Sequence, residues 1–146
     1  LEVPTRDPVL LERQIADLRQ LCWQSAGVER QGGVPSRALG EVRRLRSQVE
    51  SDPVLRRAMG LVPGERLALP GEGRQVLLGL QNLRQRLVLA ELLIEAAGFR
   101  AESRGGHFRT DAPAAQPFWR CHTLQRRGMP ISTQAVVDQG DGRAPL

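Results

Sequence analysis

Apolar residues recur at three- and four-residue steps along three stretches of this chain, the spacing at which one side of an α-helix repeats. In the first stretch Leu11, Ile15, Leu18, Cys22 and Ser25 fall on one narrow face. Asp7 is placed as its N-cap and Pro8 at the first helical position, where a missing N–H costs nothing. Gly32-Gly33 closes this region. A second helix starts near Pro35, with Leu39, Val42, Leu45 and Val49 inward and Glu41, Arg43, Arg44 and Arg46 on a solvated side. A third runs from about Arg74 to Arg104. Val76, Leu80, Leu83, Leu87, Ala90, Ile94 and Ala97 hold a seven-residue rhythm there, and Leu78, Leu89 and Leu92 add a second apolar line. A helix so widely apolar is expected to be covered on two sides, once by its bundle and once by another domain. Gly98 is its weak point, at ~1 kcal/mol against Ala. Gly105-Gly106 is expected to stop it, since glycine accepts the left-handed conformation of a helix C-cap.

Between the second and third helices, residues 51–73 are rich in Pro and Gly and read as a loop with one short helical turn around Val54 to Met59. Such a loop is longer than a tight bundle requires, so it is an insertion or a surface that meets another domain. After Pro113 the helical period is lost. Residues 122–125 and 131–137 read as two short strands around an Arg-Gly turn, and residues 138–146 as a disordered end. The expected fold is therefore all-α. Residues 1–112 form an antiparallel three-helix bundle of the spectrin-repeat kind, and residues 113–146 a short irregular or β-hairpin extension.

The chain has 146 residues, enough for one domain with a core of its own. It opens on Leu1-Glu2-Val3-Pro4 without Met, which reads as a piece of a longer polypeptide. No apolar run reaches the ~20 residues that span a bilayer, and no signal-peptide pattern is present, so the expectation is a soluble, cytoplasmic protein. The net charge is +5, and all 21 basic residues are Arg. They are interleaved with Asp and Glu and accompanied by no aromatic ladder, so nucleic-acid binding is not expected. A basic helical module that binds nucleic acid or a partner protein stays as the alternative of another class. Cys22 reads as a small buried hydrophobe. Cys121, His122 and His107 lack metal-ligand spacing and make a weak thiol nucleophile-base pair, so no metal is expected. No G-x-G-x-x-G follows a strand, so no cofactor-binding residue is assigned to this chain.

The densest chemistry lies in Glu102-Ser103-Arg104-Gly105-Gly106-His107-Phe108-Arg109-Thr110-Asp111. Glu102, Arg104, His107, Arg109 and Asp111 could form an acid-base group. With Ser103 they read better as a network of ion pairs and hydrogen bonds that fixes an interface, so no catalytic residue is assigned. Glu102 and Arg104 are two apart and would not face each other on a regular helix. At least one of them is therefore expected to find its partner outside the bundle.

Residues Arg100 to Pro113 resemble the R-x-E-S-R-G-x-H-x-R-x-D-x-P signature of the succinate dehydrogenase/fumarate reductase flavoprotein family, which includes the aspartate oxidases. The stretch from Leu18 to Arg30 is similar to that family's L-R-x-x-M-W-x-x-x-G-I-x-R helix. Leu80-Gln81-Asn82-Leu83, then Ala90-Glu91-Leu92-Leu93-Ile94, resemble the L-x-N-L and A-E-L-I of its aspartate-oxidising branch. These matches are collinear over about residues 10 to 125. The chain departs from the branch pattern at Phe108, Ala112 and the 51–73 loop. The resemblance implies the family's C-terminal helical domain, in an enzyme that takes L-aspartate to iminoaspartate on the way to quinolinate and NAD. It also implies FAD held by a dinucleotide-binding domain upstream, and a substrate site shared with a capping domain. None of those substrate residues maps onto this sequence. FAD is thus a cofactor of the longer enzyme, with the FAD and capping domains of the same polypeptide as partners. Trp119-Arg120-Cys121-His122-Thr123-Leu124 resembles the W-x-K-H-T-L of succinate dehydrogenase and fumarate reductase subunits, which keeps that branch as the alternative.

Overall fold

A computed structural model describes residues 7–69 and 71–136. The chain is mostly helical. Among the described residues there are four α-helices, α1 (Pro8–Ala26), α2 (Gly33–Glu50), α3 (Pro53–Met59) and α4 (Gly73–Phe99), one 3-10 turn (Pro117–Trp119), and four short strands, β1 (Glu29–Arg30), β2 (Phe108–Arg109), β3 (Cys121–Leu124) and β4 (Ser132–Ala135). The strands make two two-stranded sheets beside the helices, so the described fold is mostly helical with a few short strands. β3 and β4 pair antiparallel with Cys121 opposite Ala135, the hairpin expected from the sequence. β1 and β2 pair parallel with Arg30 opposite Arg109, which the sequence pattern did not announce. The expected disordered end at 138–146 lies outside the described residues.

The core forms where α1, α2 and α4 pack on one another. Leu80, Leu83, Leu87 and Ile94 of α4 are fully buried, and Val76, Ala90 and Ala97 nearly so, as their seven-residue rhythm requires. Each fully buried Leu contributes roughly 1.5–3 kcal/mol of transfer free energy. Leu11 and Leu18 of α1 complete the stripe, with Ile15 and Cys22 partly buried beside them. Ser25 is buried in the same stripe because its hydroxyl donates to the Leu21 carbonyl at 2.7 Å within its own helix. On α2 the buried line is Pro35, Ala38, Val42 and Val49, with Leu39 and Leu45 only partly covered. The inward face is thus rotated toward Ala38.

The predicted single turn at 54–59 is a seven-residue helix. Asp52 caps it by accepting from the Val54 and Leu55 amides at 3.0 and 3.1 Å, and Pro53 takes the first position. Leu55 enters the core fully buried. Gly98 is no defect in α4. A Cβ there would stand 3.1 Å from Cβ of Pro35, so the glycine permits the close approach of α2.

The Arg cluster of α2 is not simply solvated. Arg43 reaches Glu91 at 2.8 Å and Glu95 at 3.2 Å on α4. Arg46 bridges Glu91 at 2.7 Å and Glu50 at 3.0 Å, and Arg84 joins Glu50 at 3.1 Å. These pairs are partly exposed, so they set the lateral register of two helices more than they add stability.

Candidate functional site at the end of helix α4

Helix α4 ends at Phe99, five residues before the expected stop at Arg104. Gly105 has φ +57° and serves a tight turn rather than a helix cap. That turn is closed by two backbone hydrogen bonds between Arg104 and His107, at 2.7 and 3.0 Å. Arg100 is the C-cap residue, with extended backbone (φ −75°, ψ 109°). Leaving the helix here frees Arg100, Glu102 and Arg104 from the helical geometry that would hold residues two apart on different faces.

All six residues singled out from the sequence come together in this turn. Glu102 is fully buried and takes four donors. Arg100 contacts its Oε1 at 2.5 Å, Arg104 reaches both oxygens at 3.1 Å, and the Gln116 amide donates at 3.0 Å. Burial opposes its ionisation. The Arg104, Arg100 and Gln116 hydrogen bonds outweigh burial and bring the carboxyl down to about 2. Arg104 therefore pairs with Glu102 itself, while the backbone of Gln116, outside residues 1–112, bonds both of them. The remaining hydrogen bond of Arg104 goes to the Gln116 carbonyl, 3.1 Å away, and not to the helix end.

The helix end is capped by Arg109. One guanidinium nitrogen donates at 3.0 Å to the carbonyls of both Gly98 and Arg100, two of the acceptors a helix C-terminus leaves free. Its other edge forks onto Asp111, at 3.0 and 2.5 Å. Ser103 stitches the turn shut. Its hydroxyl accepts from the Arg109 amide at 2.8 Å and lies 2.8 Å from the Ala112 carbonyl. His107 Nε2 lies 3.2 Å from the Arg100 carbonyl. A carbonyl only accepts, so this nitrogen carries the ring proton. Burial, and then the charge of Arg30, push the His107 pKa below the ordinary value, so the ring is neutral at pH 7.

Arg100 is the functional residue that sequence reasoning passed over. It opens the quoted signature, yet only its place in the fold shows its reach. Its guanidinium donates to the carbonyls of Trp119 and Cys121, the latter at 3.0 Å, and to Thr123 Oγ1 at 3.2 Å. It also stacks 5.3 Å from the centroid of the Trp119 ring, which meets Phe99 edge-on at 5.4 Å. One arginine thus ties the end of α4 to Glu102 and to the β3 hairpin. Cys121 and His122 are neighbours on β3, where successive side chains point to opposite faces. Among the described residues no three His, Cys, Asp or Glu side chains gather as metal ligands.

The family described as "Fumarate reductase flavoprotein C-term" matches residues 72–139, from α4 through the turn to the hairpin. The chain is 31% identical over 121 residues to an L-aspartate oxidase of Synechocystis sp., covering 82% of this chain and 22% of that protein. It is 33% identical over 121 residues to an L-aspartate oxidase of Nostoc sp., covering 80% of this chain and 21% of the relative. Residues 72–139 thus carry the C-terminal part of the fumarate reductase flavoprotein family. The chain spans about a fifth of the length of the curated relatives it matches.

Flavoproteins of this kind raise the question of whether these residues could hold FAD. A dinucleotide's pyrophosphate is usually seated at a helix N-terminus behind a glycine turn. Among the described residues α2 alone follows a strand and opens on a glycine pair. Its N-terminus is already closed by Asp111, which accepts from the Gly32 amide. A Cβ on Gly32 would stand 2.2 Å from that carboxylate. Asp7 and Asp52 cap α1 and α3 in the same way. The N-terminus of α2 is therefore closed to the flavin's phosphates.

Proposed function

We propose that this chain is the C-terminal helical domain of an FAD-dependent L-aspartate oxidase, a cytoplasmic enzyme that converts L-aspartate to iminoaspartate for quinolinate and NAD synthesis. The observation that carries the reading is the alignment of two L-aspartate oxidases over four-fifths of the chain. In this reading residues 1–112 are the helical unit, with α1, α2 and α4 as its antiparallel bundle, and residues 113–146 are its extension. FAD, bound by upstream domains of the same polypeptide, supplies the hydride acceptor. Glu102, Ser103, Arg104, His107, Arg109 and Asp111 orient and dock rather than react. What supports that role is their closure on one another: Glu102 is ionised and enclosed, and Arg109 and Asp111 are spent on the helix end and on each other.

The test is a pair of preparations. The 146-residue chain alone is expected to purify colourless and to leave aspartate untouched. The longer polypeptide carrying its upstream domains is expected to hold flavin and oxidise L-aspartate. A flavin band at one equivalent in the short chain overturns the assignment of FAD to the upstream part. A second reading, the same domain of a succinate dehydrogenase or fumarate reductase subunit, draws on Trp119 to Leu124 and on the family description. Turnover of succinate or fumarate without aspartate oxidation would establish it in place of the first.

A further inference from the structure

We infer that the groove between α1 and α4, beside the Gly105-Gly106 turn, seats an acidic, apolar segment of the polypeptide upstream of this chain. The inference rests on the reading above that this chain is the C-terminal domain of a longer flavoenzyme. The groove has a volume of about 580 Å³. Its rim carries Trp23, Val28, Leu89 and Leu93 with 72, 63, 66 and 53% of their surface exposed. Four large apolar side chains gathered at one cleft are more than scattered surface residues, and mark a surface that another one covers. Leu89 belongs to the second apolar line of α4, which the described part of the chain leaves open.

Charge selects the occupant. Arg19, Arg30 and Arg86 line the groove and no Asp or Glu does. Arg30 is the telling one. Its Nε is buried without a hydrogen-bond partner among the described residues. Its charged neighbour is Arg109, held opposite it by the β1–β2 register. Burial, and then that repulsion, lower its pKa. A buried guanidinium nitrogen without an acceptor is costly, and a carboxylate from the occupant would relieve it with a charge-assisted bond. A second copy of this chain fits poorly. It carries net charge +5, and a symmetric dimer through this face would oppose three guanidiniums with three more. Nucleic acid would meet the arginines but leave Val28, Leu89 and Leu93 with nothing to bury them. Most of each relative lies outside the aligned fifth, and the matching family describes a C-terminal part, so the remaining length lies upstream of this region.

Hydroxyl-radical footprinting read by mass spectrometry tests this on the 146-residue chain and on the longer polypeptide. Oxidation of Trp23, Leu89 and Leu93 is expected to fall by about fivefold or more in the longer protein, as for side chains moved into an interface core. Phe118, equally exposed but away from the groove, serves as the internal reference. In the longer protein Arg86→Glu, a change at a partly exposed side chain that bonds Asn82 at 2.8 Å, is expected to restore oxidation of Trp23 and Leu93 toward the short-chain rate. Equal oxidation of the groove residues in both preparations overturns the inference. So does protection that appears in the short chain alone as its concentration rises, which would make the occupant a second copy. Aspartate oxidation is assayed on the same preparations. Protection without that activity sinks the enzymatic reading and leaves the docking surface standing.

Discussion

Arg104 forks onto Glu102 from only two residues away, with Nε 3.1 Å from one carboxylate oxygen and a terminal nitrogen 3.1 Å from the other. A helix would have separated them. The contact exists because α4 ends at Phe99 and the chain leaves it extended at Arg100. Glu102 is fully enclosed, so its two arginines and the Gln116 amide do the work water would otherwise do.

Glu102→Gln is therefore expected to be among the most damaging single changes in the chain. It leaves two guanidiniums facing an amide, and removing one member of a buried ion pair costs about 3 kcal/mol or more. Urea unfolding at pH 7 measures it. The pH dependence follows from the carboxyl being held at about 2 against an ordinary value of 4.5. The unfolded chain binds the proton more readily, so the stabilisation is whole above pH 4.5 and is lost as pH falls toward 2. The gap between the parent and Glu102→Gln is expected to close over that window. A gap that stays constant down to pH 2 would mean the charge contributes nothing.

Much of this architecture is legible in the sequence where one period governs. The Val76-to-Ala97 rhythm names the buried face of α4, and Asp7-Pro8 names the start of α1, because local geometry alone decides both. Asp52-Pro53 repeats the Asp7-Pro8 signal and could have marked α3 as a helix, but seven residues leave too little periodicity to weigh against the surrounding Pro and Gly. The sequence places the end of α4 too late because Gly105-Gly106 is a strong local stop signal, whereas the actual end is fixed by Arg109, ten residues further on, taking the Gly98 and Arg100 carbonyls. The β1–β2 pair and the reach of Arg100 are tertiary contacts between segments with no pattern of their own. The site residues themselves were found from the density of charge in one turn, not from knowing which would touch.

The two apolar lines of α4 separate core from surface in one experiment. Leu87 is fully buried, and Leu87→Ala is expected to cost roughly 2–5 kcal/mol through lost transfer energy and the cavity left behind. Leu89, two residues on, is 66% exposed, and Leu89→Ala in the 146-residue chain should stay within about 0.5 kcal/mol of the parent. Chemical denaturation of the two variants side by side checks it. Similar losses at both sites would mean the second line is already buried.

Glycines in helices offer a contrast of sign. Gly40 in α2 has open space where a Cβ would stand, so Gly40→Ala is expected to gain roughly 0.5–1 kcal/mol from helix propensity. Gly98 faces the same propensity gain, but its new Cβ would press on the Pro35 ring at 3.1 Å. A proline ring in the first turn of α2 has little room to yield, so Gly98→Ala is expected to forfeit the gain and lower the melting temperature. A higher melting temperature for Gly98→Ala would show that α2 and α4 can slide apart without loss.

His107 and Arg104 decide whether this turn orients or reacts. The His107 ring is neutral at pH 7 and donates to the Arg100 carbonyl, with burial and Arg30 opposing its protonation. Its folded pKa lies below the unfolded one, so its contribution to stability is present above pH ~6.5 and fades as pH falls below that. Ring titration by NMR is expected to show a midpoint below the ordinary histidine value. In the longer polypeptide, Arg104→Ala and His107→Ala are expected to lower the melting temperature or flavin retention while the pH-rate curve keeps both limbs. A general acid or base behaves differently, because its loss removes a limb with the fold intact. Melting temperature, flavin content and the pH-rate curve, measured on the same two variants, distinguish the roles. A His107→Ala enzyme that is folded and fully flavinated, yet slower by about a hundredfold with one limb missing, would make His107 part of the chemistry and end the structural reading of this turn.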